Sequence, residues 1–100
     1  MELKKPAIAG TTESSDAMIT VMPNGGAGIQ IQIDSVVFEM FGASIEHTVH
    51  EVLEEFDVHD AEVTVVDKGA LDCTIRARLQ CAICRSAEIK YNWGKDDQNG

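Results

Sequence analysis

No apolar run in this chain approaches the ~20 residues that a membrane-spanning helix requires, so no spanning segment is expected. Basic residues are scarce: 8 Lys and Arg stand against 17 Asp and Glu, for a formal net charge of -9. No basic stripe offsets that balance, so a phosphate backbone would be repelled, and neither nucleic acid nor an anionic membrane surface is an expected partner. Cysteine is also sparse, at three residues. An odd number in a chain this short argues against a secreted disulfide scaffold. The start, Met1-Glu2-Leu3-Lys4-Lys5, has charges but no hydrophobic region after them, so no secretory leader is expected. The thiols are expected reduced and the protein cytoplasmic.

Familiar catalytic arrangements are missing as well. No His or Cys is tied by motif to a serine, as a nucleophilic triad would need. Cys81-x-x-Cys84 has no second Cys or His pair to complete four ligands, and both residues, with Cys73 two turns earlier, fall in a helical pattern; buried small hydrophobes are expected. Gly25-Gly26-Ala27-Gly28 joins two strands and not a strand to a helix, the wrong setting for a phosphate loop. His47 and His50 lie one helical turn apart among Glu46, Glu51 and Glu54, where two imidazoles and a carboxylate could share a metal; a solvated acidic face is the expected reading. Asp67-Lys68-Gly69-Ala70-Leu71-Asp72 precedes a helix whose free N–H groups could hold an anion, or be capped by Asp67.

What remains is an ordinary globular composition, 44% hydrophobic and 25% charged, sized for one domain over residues 1–100 with a core over about 6–86 and a polar tail over 87–100. Residues 6 to 11 form a short extended segment opened by a proline. Ala17-Met18-Ile19-Thr20-Val21-Met22 is rich in strand formers. Ile29-Gln30-Ile31-Gln32-Ile33 alternates strictly, as a half-buried strand does. Across the Gly-rich connector these two predict an antiparallel hairpin.

Asp34 and Ser35 are N-cap types, after which the period changes. Phe38, Phe41, Ile45, Val49, Val52, Leu53 and Phe56 follow spacings of three and four and predict one buried helical face. Gly42 inside that helix costs about 1 kcal/mol against Ala, which suggests close approach by a neighbouring element. Ala61-Glu62-Val63-Thr64-Val65-Val66 is a β-branched strand. A second helix starts at Ala70, with Leu71, Ile75, Leu79, Ala82 and Ile83 on its apolar side and Asp72, Arg76, Gln80 and Arg85 outward. Glu88-Ile89-Lys90-Tyr91-Asn92-Trp93 suggests a last strand or an extended arm. The termini and the Asn24–Gly28 connector are the expected mobile parts. The order predicts an α/β (α+β) two-layer sandwich, a mixed sheet of about four strands with two helices packed on one face.

One polar stretch remains, Gly10-Thr11-Thr12-Glu13-Ser14-Ser15-Asp16, between two extended segments. On local sequence it is a Ser/Thr turn and nothing more. Taken with other stretches it becomes specific. Pro6-Ala7-Ile8-Ala9-Gly10-Thr11, Glu13-Ser14-Ser15-Asp16-Ala17-Met18, Phe41-Gly42 and Asp67-Lys68-Gly69-Ala70-Leu71-Asp72-Cys73-Thr74-Ile75-Arg76-Ala77-Arg78-Leu79 together resemble the acyl carrier protein (gamma subunit) family of citrate lyase, over about residues 4–86.

The resemblance implies a non-catalytic carrier whose serine, here Ser14, holds a phosphoribosyl-dephospho-coenzyme A arm through a phosphodiester. Ser15 is the fallback, since chemistry alone does not choose between adjacent hydroxyls. It further implies an alpha subunit that exchanges acetyl for citryl on the arm's thiol and a beta subunit that cleaves the citryl-carrier. A holo-carrier synthase would load the arm, and Mg2+ would serve the lyase step and not this chain. Such a carrier needs no acid or base of its own, because tethering raises the acyl group's effective concentration at each partner. Two alternatives stand beside this: the acyl carrier of malonate decarboxylase, with the same arm, and a non-covalent regulatory or small-molecule-binding α/β domain.

Overall fold

The computed structural model describes residues 1–89. It contains β1 (Ala7–Gly10), β2 (Ala17–Met22), β3 (Ile29–Ser35), α1 (Phe38–Glu55), β4 (Ala61–Asp67) and α2 (Asp72–Ala87). The strands form one four-stranded sheet in the order β1-β2-β4-β3. β1 and β2 pair antiparallel, as do β2 and β4, whereas β3 runs parallel to β4, so the sheet is mixed.

Register aligns the apolar positions into rows. Ala7, Val21, Val63 and Ile31 lie side by side, and Ala9, Ile19, Val65 and Ile33 form the next row. Alternation sends these residues to one face and Thr20, Thr64 and Gln32 to the other. α2 packs over β1 and β2, and α1 over β3 and against α2. Val49, Val52, Ile75, Leu79 and Ile83 come down from the helices onto the rows, and Ile19, Val21, Val63 and Val65 are fully buried beneath them. The two-layer sandwich predicted from the pattern is the fold observed.

The predicted hairpin between β2 and β3 does not form. β4 lies between them and pairs with both. The Pro23–Gly28 connector therefore spans two strand spacings, close to 10 Å, and not the single spacing of a two-residue hairpin turn. Asp60, just before β4, holds it in place: its carboxylate accepts the backbone N–H groups of Asn24 (2.9 Å) and Gly28 (3.2 Å). β4, whose Ala61, Val63 and Val65 are fully buried, thus takes an interior position with a strand on each side.

Asp34 and Ser35 extend β3 and do not open the helix as N-cap residues. Ser35 still satisfies a free donor there, since its Oγ accepts the N–H of Val37 (3.1 Å). Phe38 and Phe41, expected in the core, are about half exposed at 53% and 49%, and Leu71 is 71% exposed at the threshold of α2. α1 begins only after β3 ends at Ser35, so its first turn lies past that strand and Phe38 and Phe41 are only partly covered. The neighbour that needs Gly42 is Phe38 of the same helix, whose ring a Cβ would meet at 2.6 Å.

The N-terminus is anchored and not free. Leu3 is buried, the N–H of Lys4 donates to Ser86 O (2.9 Å), and Ser86 Oγ donates to Lys5 O. At the other end, Glu88 takes a left-handed conformation that lets the N–H of Ile89 reach Cys84 O (3.0 Å), which closes α2. The suggested strand or arm toward Trp93 lies, from residue 90 onward, outside the described residues.

Candidate functional site: a clamped serine turn beside an apolar groove

β1 and β2 are joined by residues 11–16, and short-range bonds shape that loop. Thr11 Oγ1 accepts the N–H of Glu13 (3.2 Å), and the N–H of Asp16 donates to Glu13 O (3.1 Å). The second bond closes a four-residue turn with Ser14 and Ser15 at its centre. Ser15 has φ +67°, as the third position of a type II turn requires. Gly10 enters the loop at φ +90°, and a Cβ there would sit 1.9 Å from Ala17 O, so only glycine fits.

The turn is fastened to the body at two points. The N–H of Ser15 donates to Lys68 O (2.8 Å), and the N–H of Lys68 donates back to Asp16 O (2.9 Å). Asp16 then reaches across to α2. Its Oδ1 accepts Arg78 Nε (3.0 Å) and the N–H of Ala17 (2.7 Å), while Oδ2 accepts Thr11 Oγ1 (2.8 Å). The Arg78 guanidinium, with the Thr11 hydroxyl and the Ala17 N–H, holds the Asp16 carboxyl far below the usual carboxylate range. A carboxylate so engaged is a strut and not a general base. Ser14 is exposed at the apex, and its hydroxyl makes no hydrogen bond among the described residues.

Behind the turn, Asp67 is 1% exposed and ties three elements together. Its Oδ2 accepts Ser35 Oγ (2.7 Å), its Oδ1 accepts the N–H of Ala70 (2.9 Å), and its backbone oxygen accepts the N–H of Val36 (3.2 Å). The expected cap of the helix by Asp67 does not form, since α2 begins at Asp72 behind Leu71 with no side-chain cap hydrogen bond. Asp67 instead fastens the preceding loop at Ala70. Next to it a groove of about 370 Å³ opens between Phe41 and Ile45 of α1 and Ala70, Leu71 and Ile75, with Ser44, Asp67 and Asp72 also lining it.

The other clusters lie elsewhere. Glu46, His47, His50, Glu51 and Glu54 are on the exposed face of α1, with His47 paired to Glu51 (3.3 Å) and His50 to Glu46 (3.8 Å). Glu51 is also bound by Arg76 of α2, whose guanidinium lowers the pKa of that carboxyl. Cys84 is buried in α2, which raises its thiol pKa, and Cys81 is partly buried. Cys73 is exposed, contrary to the expectation of burial, because it falls in the first turn of α2, beyond the sheet. No helix among the described residues is long and apolar enough to cross a membrane.

Sequence reasoning singled out Ser14, Ser15 and Asp16 but missed Arg78 and Lys68 as the groups that fix them. Their partners are 62 and 53 residues away in sequence, and no local pattern signals such a pairing.

Residues 4–86 match the family model described as "Malonate decarboxylase delta subunit (MdcD)", labelled ACP, which places the chain among acyl carrier subunits. The curated relatives narrow the class. Citrate lyase acyl carrier protein from Klebsiella pneumoniae is 51% identical over 96 residues, 95% of this chain and 99% of its own length. Its counterpart from Streptococcus equi subsp. equi is 47% identical, over 97% and 96% of the two chains. The chain belongs to the citrate lyase acyl carrier protein family. Its fold is also that of a chain in the crystal structure of a Pseudomonas malonate decarboxylase hetero-tetramer in complex with malonate, with a TM-score of 0.65 at 20% identity over 85% of this chain and 91% of that one.

Proposed function

We propose that this chain is the acyl carrier subunit of citrate lyase and that Ser14 is the attachment point of its prosthetic group, a phosphoribosyl-dephospho-coenzyme A joined through a phosphodiester. The observation that carries the assignment is the free Ser14 hydroxyl at the apex of a turn clamped on both flanks. The residues fit such a group: an exposed, unpartnered hydroxyl can be approached by a transferase and leaves a bulky substituent in solvent. Ser15 fits less well, since its left-handed backbone and its N–H bond to Lys68 O set it on the anchored side of the turn.

When bound, the arm supplies a thiol that carries acetyl or citryl as a thioester. This chain's own part is to hold the attachment point rigid and present it to partners. The proposed partners are the alpha subunit, which transfers the acyl group, the beta subunit, which cleaves citryl to oxaloacetate, and a holo-carrier synthase, all in the cytoplasm. The chain itself performs no bond-making step, and citrate is converted to acetate and oxaloacetate by the complex.

Intact mass of the protein from its native host tests this. The mass should exceed the sequence mass by the arm, and Ser14→Ala should abolish the increment while Ser15→Ala retains it. An unmodified chain within an active lyase would overturn the assignment. The matched family description leaves one second reading, ranked behind the first, a carrier of malonate decarboxylase. A purified complex that turns over malonate and not citrate would select it.

A further inference from the structure

We infer that the groove between α1 and the start of α2 is a resting site for the acyl end of the arm, one that accepts a small neutral acyl thioester and rejects a carboxylated one. This rests on the carrier reading above and assigns a role to residues that the reading does not use.

Connectivity comes first. Ser15 is bonded to Lys68 O at 2.8 Å, and Gly69, the next residue, lines the groove. Traced through those bonds, the groove wall begins within about 15 Å of the Ser14 Cα. A phosphoribosyl-dephospho-coenzyme A arm, ending in a pantetheine chain, is longer than that when extended, so its end can fold back.

Size and chemistry select which part of the arm fits. A volume of about 370 Å³ is near the lower end of the ~300–1,000 Å³ typical of small-ligand sites. It suits the slender thioester end and not the adenosine and phosphoribosyl end. The walls are apolar, from Phe41, Ile45, Leu71 and Ile75, and suit a gem-dimethyl group and an acetyl methyl. Ser44 lines the groove with a hydroxyl that makes no hydrogen bond among the described residues, so it can meet an amide of the chain. Phe41 and Leu71 are 49% and 71% exposed, a cost in apolar hydration that a covering ligand would relieve.

Charge supplies the discrimination. The lining carboxylates are Asp67 and Asp72. The adjacent cation, Arg76, is already shared between Asp72 (2.8 Å) and Glu51. A neutral acetyl group meets no opposing charge there, whereas the free carboxylates of a citryl group would be desolvated beside like charges. The acetyl form would thus be shielded from water between turnovers, and exchange for citryl would release the arm toward the cleaving subunit.

The test is the reactivity of the thioester in the intact holo-carrier. With hydroxylamine and intact-mass detection, acetyl-carrier should be cleaved about tenfold more slowly than S-acetyl-pantetheine, as a groove-bound population near 90% would impose. The double variant Phe41→Ser, Leu71→Ser should lose that protection, and citryl-carrier should be cleaved at the same rate with or without the two substitutions. In the unaltered protein, Phe41 ring and Leu71 methyl resonances should shift on acetylation of the thiol. Equal cleavage of acetyl-carrier and S-acetyl-pantetheine, with those resonances unmoved, would overturn the groove proposal while the arm's mass on Ser14 upheld the carrier reading. Absence of that mass would overturn both.

Discussion

At the scale of single residues, the turn holds a strained serine beside a free one. A non-glycine residue in the left-handed region costs about 1–2 kcal/mol, and Ser15 sits there at φ +67°. Glycine would remove that strain and restore about 0.5–1 kcal/mol of unfolded-state freedom. Ser15→Gly is therefore expected to be neutral or to stabilise by up to about 1 kcal/mol, a rise of up to about 4–8 °C in melting temperature for a domain this size. It also deletes the second hydroxyl, so arm loading that persists in Ser15→Gly assigns the attachment to Ser14. Asp16 makes a pH prediction of definite sign. Its carboxyl is lowered in the folded state, chiefly by Arg78, so its contribution is fully present above the unfolded value near 3.9. The contribution declines as pH falls through the acid range toward the folded value. The stability gap between the natural protein and Asp16→Asn should be constant from neutral pH to about 5 and close on further acidification. Urea titrations at a series of pH values measure it, and a gap that widened in acid would contradict the strut role.

At the scale of elements, two connectors decide the topology, and both are testable. Gly10→Ala places a methyl 1.9 Å from Ala17 O at a backbone angle that disfavours it, so the loss should exceed about 2 kcal/mol. Gly25→Ala has φ +63° with nothing within 4 Å of the added atom, so only the conformational cost of about 1 kcal/mol applies. Thermal unfolding of the pair separates clash from torsion. Asp60→Ala removes the acceptor for Asn24 and Gly28, and hydrogen exchange at those two amides should accelerate far more than at the central strand. Those connectors also show what the chain reveals before it is folded. β3 and both helices were readable from periodicity, and β1, β2 and β4 from their strand-forming residues and flanking breakers. The neighbour of β2 was not. A strand, a glycine-rich loop and a strand read the same whether the loop makes a hairpin or steps over a central strand, and the deciding partner, β4, comes 39 residues after β2 ends. The first turn of α1 misled for a related reason. Phe38 and Phe41 have the spacing of core residues, yet their turn lies past the end of β3 and leaves them only partly covered. Ser14 was legible only by resemblance, since a free hydroxyl on a turn has no local signature.

At the scale of the whole molecule, the acidic charge bears on how the proposed carrier would meet its proposed partner subunits. The formal charge of -9 is not neutralised from within. Arg76 and Arg78 are committed to carboxylates, and Arg85 donates to Ile8 O. The outer face of α1 presents Glu46, Glu51, Glu54 and Glu55 to solvent. A field of one sign raises encounter rates with a basic partner and is screened beyond about 8 Å at physiological salt, against about 30 Å at 0.01 M. The association rate with the alpha subunit should therefore fall about tenfold or more between those two conditions, while the dissociation rate, set by short-range contacts, changes little. Reversing Glu46 and Glu54 to lysine should flatten that salt dependence without altering the proposed arm loading at Ser14, because both lie on the exposed face of α1, apart from the turn and its clamps. Stopped-flow binding of the loaded carrier to the isolated alpha subunit reads both rates. A salt-independent association rate would mean that the partner's docking face is not basic, and that the acidic surface serves only to keep the protein from adhering to its neighbours.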